Sequence, residues 1–343
     1  VRSSAASDVY KRQIQDIADK MGVSKSTVSK ALNDAPDISE VLRKQVLETA
    51  VALGYTKLRR YKKPTKKVCI IIEKENMRYQ EPHHFAYDIL VGFRQMAEPA
   101  GFDVEIVPVD IKTQRSQHYD VFMLEHDYIG AFVVGFSLSD PWIQDFKISR
   151  TPAVLFDNYI VGNPSTAYVG IDNEEGMELA VSYLAGLGHR KIAYLSSSLG
   201  ARVLQARHAA FLRSMHQHGL KTSPAAIGCS YYLSECMEKH LPRFLENGIT
   251  AIICNQDTLA SATLTQCQQL GFQVPDDISI IGFDDLPIAA CTSPPLTTIR
   301  QDRLELGKSG FFALSSLLNH IPISTYLLHA QLIQRESTGK VPS

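Results

Sequence analysis

At 343 residues the chain is longer than one hydrophobic core usually serves, which implies a small domain joined to a larger bilobed one. A composition that is 45% hydrophobic and 21% charged, with net charge −1, excludes a disordered or wholly polybasic protein. No run approaches the ~18 apolar residues that would cross a membrane, so no membrane partner is expected.

The near-zero net charge conceals a segregation. Residues 14–55 carry five Lys/Arg against six Asp/Glu, residues 56–67 add seven cations and no acid, and residues 68–343 hold 20 basic against 29 acidic residues. A basic belt between two mildly acidic bodies fits a polyanion partner; taken alone it fits a solvated linker equally well. The six cysteines, at 69, 229, 236, 254, 267 and 291, make no C-x-x-C pair and mostly sit in apolar runs such as "VCIII". Reduced thiols acting as small hydrophobes are expected, and with them a cytoplasmic protein.

In chain order, residues 1–13 ("VRSSAASDVYKRQ") lack the apolar centre of a signal peptide and any periodicity, so an unstructured leader, not necessarily native, is expected. Ile14, Ile17, Ala18 and Met21 then recur at helical spacing until Gly22. Ser24 is a natural N-cap for a second helix with Val28, Ala31 and Leu32 on one face. Ser39 and Glu40 open a third, with apolar positions at Val41, Leu42, Val46, Leu47, Ala50, Val51 and Leu53, closed by Gly54. Two short helices around a glycine turn have the helix-turn-helix geometry, in which the second helix enters the major groove. A generic three-helix bundle would share the turn. Its second helix, however, would not present Lys, Ser, Thr and Lys to solvent, which is a contact surface rather than a Glu/Lys ladder.

The text "IQDIADKMGVSKSTVSKALN", with "VLETAVALGY" after it, resembles the headpiece of the LacI/GalR family of bacterial transcription regulators. Carried over by position, the resemblance implies that Lys25, Ser26 and Lys30 read base edges. Lys30 stands in the place of a common arginine. It likewise implies that Ser24, Thr27, Ser29 and Asn33 hold phosphates. Lysine can donate to guanine O6 and N7, and hydroxyls suit phosphate oxygens.

Residues 56–67, "TKLRRYKKPTKK", depart from that family. Its members continue here into a hinge helix whose leucine wedges into the minor groove. In this chain Pro64 falls near the leucine position and Leu58 stands too early. The expectation is a basic linker without a hinge helix, whose Lys57, Arg59, Arg60, Lys62 and Lys63 grip DNA without reading sequence.

From Val68 short β-rich runs alternate with amphipathic helices. "KVCIIIE", "DVEIVPV", "GAFVVGF" and "PAVLFDNY" read as strands, with "FAYDILVGFRQMAEPAG" as a helix. "KIAYLSSS", "AIIC" and "ISIIGFDD" follow as strands, with helices at "LQARHAAFLRSMHQHG" and "TLASATLTQCQQLG". Alternation of this kind implies parallel sheets covered by helices, and ligands of such sheets bind beyond the carboxyl ends of strands. Asp157, Gln256, Asp257, Asp284 and Asp285 stand at strand ends, and Arg207 near the start of a helix. Together they suit a hydroxyl-rich ligand; singly, an aspartate there is better explained by helix capping or loop solvation, most clearly Asp257. Aromatic faces at Phe85, Phe136 and Tyr159 could stack on a sugar ring or fill the core.

"YVGIDNEEGM", "PDDISIIGFDD", "SPPLTTIRQD" and "LIQREST" are similar to core signatures of the same family, so the resemblance spans nearly all of residues 14–340. It implies a fold class of an all-α helix-turn-helix headpiece followed by a two-lobed α/β core like that of periplasmic binding proteins, with parallel sheets. The expected domains are a leader at 1–13, a headpiece at 14–55, a basic linker at 56–67 and a core at 68–343. Within the core, lobe 1 is expected over about 68–167 and 297–324, and lobe 2 over about 168–296 and 325–340. Effector positions that carry over are Phe85, Asp157, Arg207, Gln256 and Asp284.

The function implied is a homodimeric repressor of a near-palindromic DNA operator, controlled by a small molecule between the lobes. A sugar is the first expectation for that molecule, a purine or other metabolite the second. A sugar-binding protein with vestigial DNA binding is the alternative. Ala86, Leu90, Phe93 and Ala97 form a candidate dimer face. No phosphate loop, nucleophile elbow or H-E-x-x-H motif is present, so no enzyme and no cofactor is expected. The pairs "HH" at 83–84 and "HQH" at 216–218, placed on helices, would point to different faces, and no metal is expected.

The belt yields a first test. Replacing Lys62, Lys63, Lys66 and Lys67 by Gln is expected to flatten the salt dependence of DNA binding while half-site preference persists. Titrations at several salt concentrations check this, and a lost sequence preference would mean that the belt reads bases.

Overall fold

A computed structural model describes residues 13–33, 35–55, 66–75, 77–197 and 199–342. The leader up to 12 and linker residues 56–65, with Lys57, Arg59, Arg60, Lys62 and Lys63, lie outside the described residues. No helix among the described residues is long and apolar enough to cross a membrane. The chain divides into two compact units.

The first unit takes in the headpiece, residues 66–77 apart from 76, and residues 93–168 and 308–325. The headpiece is three helices: α1 at 13–21, α2 at Lys25–Leu32 and α3 at Glu40–Ala52. Gly22 turns the chain at φ +67° after α1, a value a side chain would oppose. Ser24 and Ser39 accept hydrogen bonds from the Thr27 and Leu42 amides, capping α2 and α3. Ile14, Ile17, Val28, Leu32, Val46 and Ala50 fill the space between them.

The first sheet runs in the order β11-β5-β4-β3-β1-β2. Its strands are β1 (Lys67–Glu73), β2 (Asp103–Val109), β3 (Ala131–Val134), β4 (Ala153–Phe156), β5 (Thr166–Ile171) and β11 (Thr325–Leu328). β1 pairs in parallel with β2, Lys67 opposite Asp103, and with β3, Cys69 opposite Ala131. The helices preceding β5 are α4 (Phe85–Ala97), α5 (Ile111–Ser116), α6 (Tyr119–Glu125) and α7 (Trp142–Phe146). Tyr119, Phe122, Phe136, Trp142 and Phe146 form one aromatic core cluster, so Phe136 belongs to the lobe core rather than to a sugar platform.

The second sheet has the order β12-β10-β9-β8-β6-β7. Its strands are β6 (Ile192–Ser196), β7 (Ile227–Cys229), β8 (Ala251–Cys254), β9 (Ser279–Asp284), β10 (Thr297–Arg300) and β12 (Gln331–Ile333). Around it lie α8 (Asn173–Gly186), α9 (Arg202–Gln217), α12 (Asp257–Gln269) and α13 (Pro287–Cys291). After β7, a single turn α10 (Leu233–Glu235) runs through a π-turn at Cys236–His240 into α11 (Leu241–Glu246). α14 spans Arg303–Leu318.

Successive residues of the central strands alternate between two core clusters. Ala193, Leu195, Ile252, Cys254 and Ile280 face one cluster, and Ile192, Tyr194, Ala251, Ile253 and Ile281 face the other. Apolar runs such as "AIIC" are therefore continuous because both faces are covered.

Three expectations need correction. β10 pairs in parallel with β9 and antiparallel with β12, so 297–300 belongs to the second sheet rather than to the lobe expected at 297–324. β11, expected in the second lobe, lies beside β5 in the first sheet. The candidate dimer face is internal: Ala86, Phe93 and Ala97 are wholly buried and Leu90 nearly so. Phe93 stacks on Phe132 at 5.3 Å and meets the edge of Phe311 at 5.8 Å. Gly310 lets α14 come this close, since a Cβ there would sit 2.8 Å from the Phe132 ring.

Lys66 and Lys67, counted with the belt, are also engaged. Lys66 lies over the Phe102 ring at 5.2 Å, and Lys67 pairs with Glu105 at 2.7 Å and covers Tyr128 at 4.7 Å. The salt response of the belt is accordingly expected to come mostly from its other cations.

Phe93→Ala is expected to cost about 3–5 kcal/mol in denaturant unfolding, as for a large core aromatic, with the oligomeric state unchanged in sedimentation. A shifted oligomeric state with stability intact would return Phe93 to a subunit interface.

Candidate nucleic-acid interface and ligand site

On α2 the apolar side, Val28, Ala31 and Leu32, is buried, and the remaining residues lie outward. Lys25, Ser26, Lys30, Ser24 and Asn33 are exposed, and Thr27 and Ser29 half-buried. The Ser24 hydroxyl is 2.9 Å from that of Thr27 and accepts from its amide at 3.0 Å, so both are oriented at the helix start. Four N–H groups are unpaired within a helix at this end, and the end carries partial positive charge, which favours a phosphate oxygen. Asn33 donates to the Ser29 carbonyl at 2.7 Å. Lys30 is not idle: it pairs with Asp37 at 2.5 Å and holds that carboxyl below its ordinary range. Both partners are exposed, so the pair is weak enough to exchange for a base edge.

In the second unit Arg207, 3% exposed, is the centre of a polar cluster. Its Nε donates to Asn173 Oδ1 at 2.8 Å and its Nη1 to the Asn255 carbonyl at 2.8 Å. Asp284 Oδ1 lies 3.7 Å from Nη1, and the guanidinium rests on the Phe283 ring at 3.7 Å. Nη2 makes no hydrogen bond among the described residues, which leaves a donor pair beside Asp284. Gln301 Nε2 donates to Asp284 Oδ1 at 2.5 Å. Asp284 itself stands at φ +106°, a left-handed conformation that a β-strand end adopts only when its surroundings enforce it. Burial pushes its carboxyl up to about 6, against the opposing pull of Arg207 and Gln301.

Of the five expected effector residues, the structure brings Arg207 and Asp284 together. Gln256 follows Asn255, whose carbonyl takes the Arg207 bond, and caps α12 by position without a side-chain bond. Phe85 is the first residue of α4. Asp157 follows β4 in the first unit, at φ +58°. The sequence reading missed Asn173, Asn255, Phe283 and Gln301. Asn173 lies inside the quoted "YVGIDNEEGM", but nothing in that text sets it apart as a partner of Arg207.

Two strand-end acids have structural roles. Asp257 is fully buried and accepts from Thr298 Oγ1 at 2.6 Å and the Leu286 amide at 2.7 Å, tying β10 and the β9–α13 turn to α12. Asp285 pairs with Arg300 and Arg335, both at 2.6 Å, and these outweigh burial to hold its carboxyl low.

His83 and His84 lie ahead of α4 rather than on a helix, and each offers a ligand atom near Glu81. The three atoms lie within 4.8 Å of one another. Tetrahedral zinc with bonds of about 2.05 Å needs ligands roughly 3.4 Å apart. His84 Nδ1 already accepts from the Glu81 amide at 3.1 Å, and the Glu81 carboxylate faces His83 at 3.3 Å. The loop is satisfied internally and makes no case for a metal.

Residues 13–57 match the model of the bacterial regulatory proteins of the lacI family, and residues 181–338 that of the periplasmic binding protein-like domain. The HTH-type transcriptional repressor PurR of Aliivibrio salmonicida is 27% identical over 339 residues, covering 96% of this chain and 99% of that protein. The repressor CytR of Escherichia coli K12 is 26% identical over 337 residues, covering 96% and 97%. Among solved structures, the transcriptional regulator CelR–cellobiose complex aligns with TM-score 0.70 at 21% identity, over 94% of this chain and 99% of that one. The lac repressor dimer bound to operator and the anti-inducer ONPF aligns with TM-score 0.66 at 21% identity, over 94% and 98%.

The buried acids give the second unit a pH signature. Burial, reinforced by the charge of Asp284, pushes the Asp257 carboxyl up to about 8. The folded chain therefore keeps a proton that the unfolded chain releases near ~3.9, and the associated stability is lost as pH rises through about 8. Asp257→Asn keeps the shape of the protonated acid. It is expected to melt several degrees above the parent near pH ~8.5 and to show a shallower fall from pH ~5 upward, measured by thermal unfolding across pH.

Proposed function

The chain belongs to the LacI family of bacterial regulatory proteins, and from that premise we propose that it is a cytoplasmic, homodimeric transcription repressor released or recruited by a small hydroxyl-rich effector. The observation that carries the proposal is the joint presence, in one chain, of a capped helix with an outward Lys25–Ser26–Lys30 face and a buried Arg207–Asp284 anchor. The headpiece at 14–55 reads DNA: Lys25, Ser26 and Lys30 address base edges, and Ser24, Thr27, Ser29 and Asn33 hold phosphates. One headpiece covers a half-site, so two copies on a near-palindrome are required.

In the second unit the free donors of Arg207 Nη2 and the unshared oxygen of Asp284 match adjacent hydroxyls of a sugar, a donor pair beside an acceptor. Phe85, Asp157 and Gln256 are further effector contacts in this proposal. The relative solved with cellobiose supports a sugar as the first candidate class. Control requires only that the effector bind the operator-competent and operator-free states with different affinity.

Melting-shift screening of sugars and nucleobases identifies the effector class, and fluorescence anisotropy on a selected palindromic duplex follows DNA binding. Lys30→Ala is expected to weaken the duplex roughly tenfold or more, the size of one lost base contact. Asp284→Asn is expected to abolish the effector's melting shift while the ligand-free melting point holds or rises, since the amide mimics the protonated acid. Unchanged sequence preference in the first variant would sink the headpiece roles, and a retained shift in the second would sink the anchor.

A further inference from the structure

Helix α6 is only seven residues long, yet Tyr119, Asp120, Val121, Phe122, Met123 and Leu124 are all buried. A short helix covered all round must pack on two bodies. Tyr119, Phe122 and Met123 join Trp142 and Phe146 in the core of their own lobe. Val121 and Leu124, three residues apart on another face, are 3% and 5% exposed and join the headpiece cluster of Ile14, Ile17, Val28 and Leu47 instead.

The headpiece presents a matching stripe. Lys44, Leu47, Val51 and Gly54 recur at three- and four-residue spacing along α3 and its end. At one end of the stripe Lys44 Nζ donates to the Ser116 carbonyl, just before α6, at 2.9 Å. In the middle Leu47 and Val51 belong to the cluster that takes in Val121 and Leu124. At the other end the Arg150 guanidinium fills the place a side chain would need at Gly54, with Nη1 2.0 Å from an ideal Cβ. Lys25, Ser26 and Lys30 remain exposed in this arrangement.

We propose that the α6 face of the first lobe is a docking surface for the headpiece of the same chain, and that this seat positions the recognition helix. The docking is argued from packing alone; its consequence for operator control rests on the function proposed above. Two measurements on the full chain test the docking without DNA, so a failure here is separable from a failure of that function.

The double variant Val121→Ser, Leu124→Ser is expected to raise amide exchange across residues 44–55 at least tenfold, with exchange in β1 and β3 unchanged. Unchanged exchange at 44–55 overturns the proposal. The second measurement leaves the apolar seat intact. In a Cys291→Ser background, Lys44→Cys and Ser116→Cys are expected to be joined within one chain by a short bismaleimide, giving a cross-linked monomer on a denaturing gel. No cross-link overturns the proposal. A cross-linked dimer overturns its same-chain form and places the headpiece on the lobe of a second copy.

Discussion

The ligand site depends on one constraint in the middle of the second sheet: a parallel strand such as β8, covered by helices on both faces, has little room for polar side chains along its length. Ile252 and Cys254 face one cluster of the second unit and Ala251 and Ile253 the other, so polar chemistry is displaced to the residues beyond the strand. Asn255 and Gln256 follow β8, and Asp284 ends β9. Arg207 reaches them from α9, and its bond to the Asn255 carbonyl ties a side chain to backbone that the sheet itself fixes. The ligand-site geometry is therefore inherited from the sheet, and substitutions that shift β8 or β9 would be felt there before any contact residue changed.

Burying a guanidinium is costly unless its hydrogens are met. Here the compensation is uneven. Asn173, the Asn255 carbonyl and the Phe283 face satisfy one side of Arg207, while Asp284 stays at 3.7 Å. That separation is longer than a hydrogen bond, and it explains why burial still prevails over the arginine's attraction in raising the Asp284 carboxyl. An acceptor held imperfectly by its own protein is available to a ligand. Asp285, one residue on, shows the opposite case: two arginines at 2.6 Å hold it fully, and nothing is left to offer.

How much of this was legible in the sequence follows from the same physics. Period and caps are local, so α2, α3 and their Ser24 and Ser39 caps could be read directly, as could the apolar strands. The fold class and the family were legible because the quoted signatures recur along nearly the whole chain. What failed was non-local. Ala86, Leu90, Phe93 and Ala97 form a clean apolar stripe whether they face a partner or their own core, and only the Phe132 and Phe311 contacts decide it. The membership of β10 and β11 depends on which strand each pairs with, and no residue type within them encodes that. Helical geometry would part the histidines at 83–84, but they sit in a loop that brings them together with Glu81.

α3 held one signal that local rules could not place. Seven of its thirteen residues are apolar, and Leu53 follows, more than one buried stripe requires; Val46, Leu47 and Ala50 are the buried ones. Leu47 and Val51 are explained by a second surface, the one α6 presents. Burial counts on both sides of such a contact, for Leu47 and Val51 as well as Val121 and Leu124, at about 1.5–3 kcal/mol for each side chain taken fully out of water, an upper figure. A short tether gives an effective concentration of millimolar order, so seating the headpiece must overcome about 4 kcal/mol of lost freedom. The seat is therefore favoured when nothing competes for the headpiece, and a partner that draws the headpiece away must supply the difference.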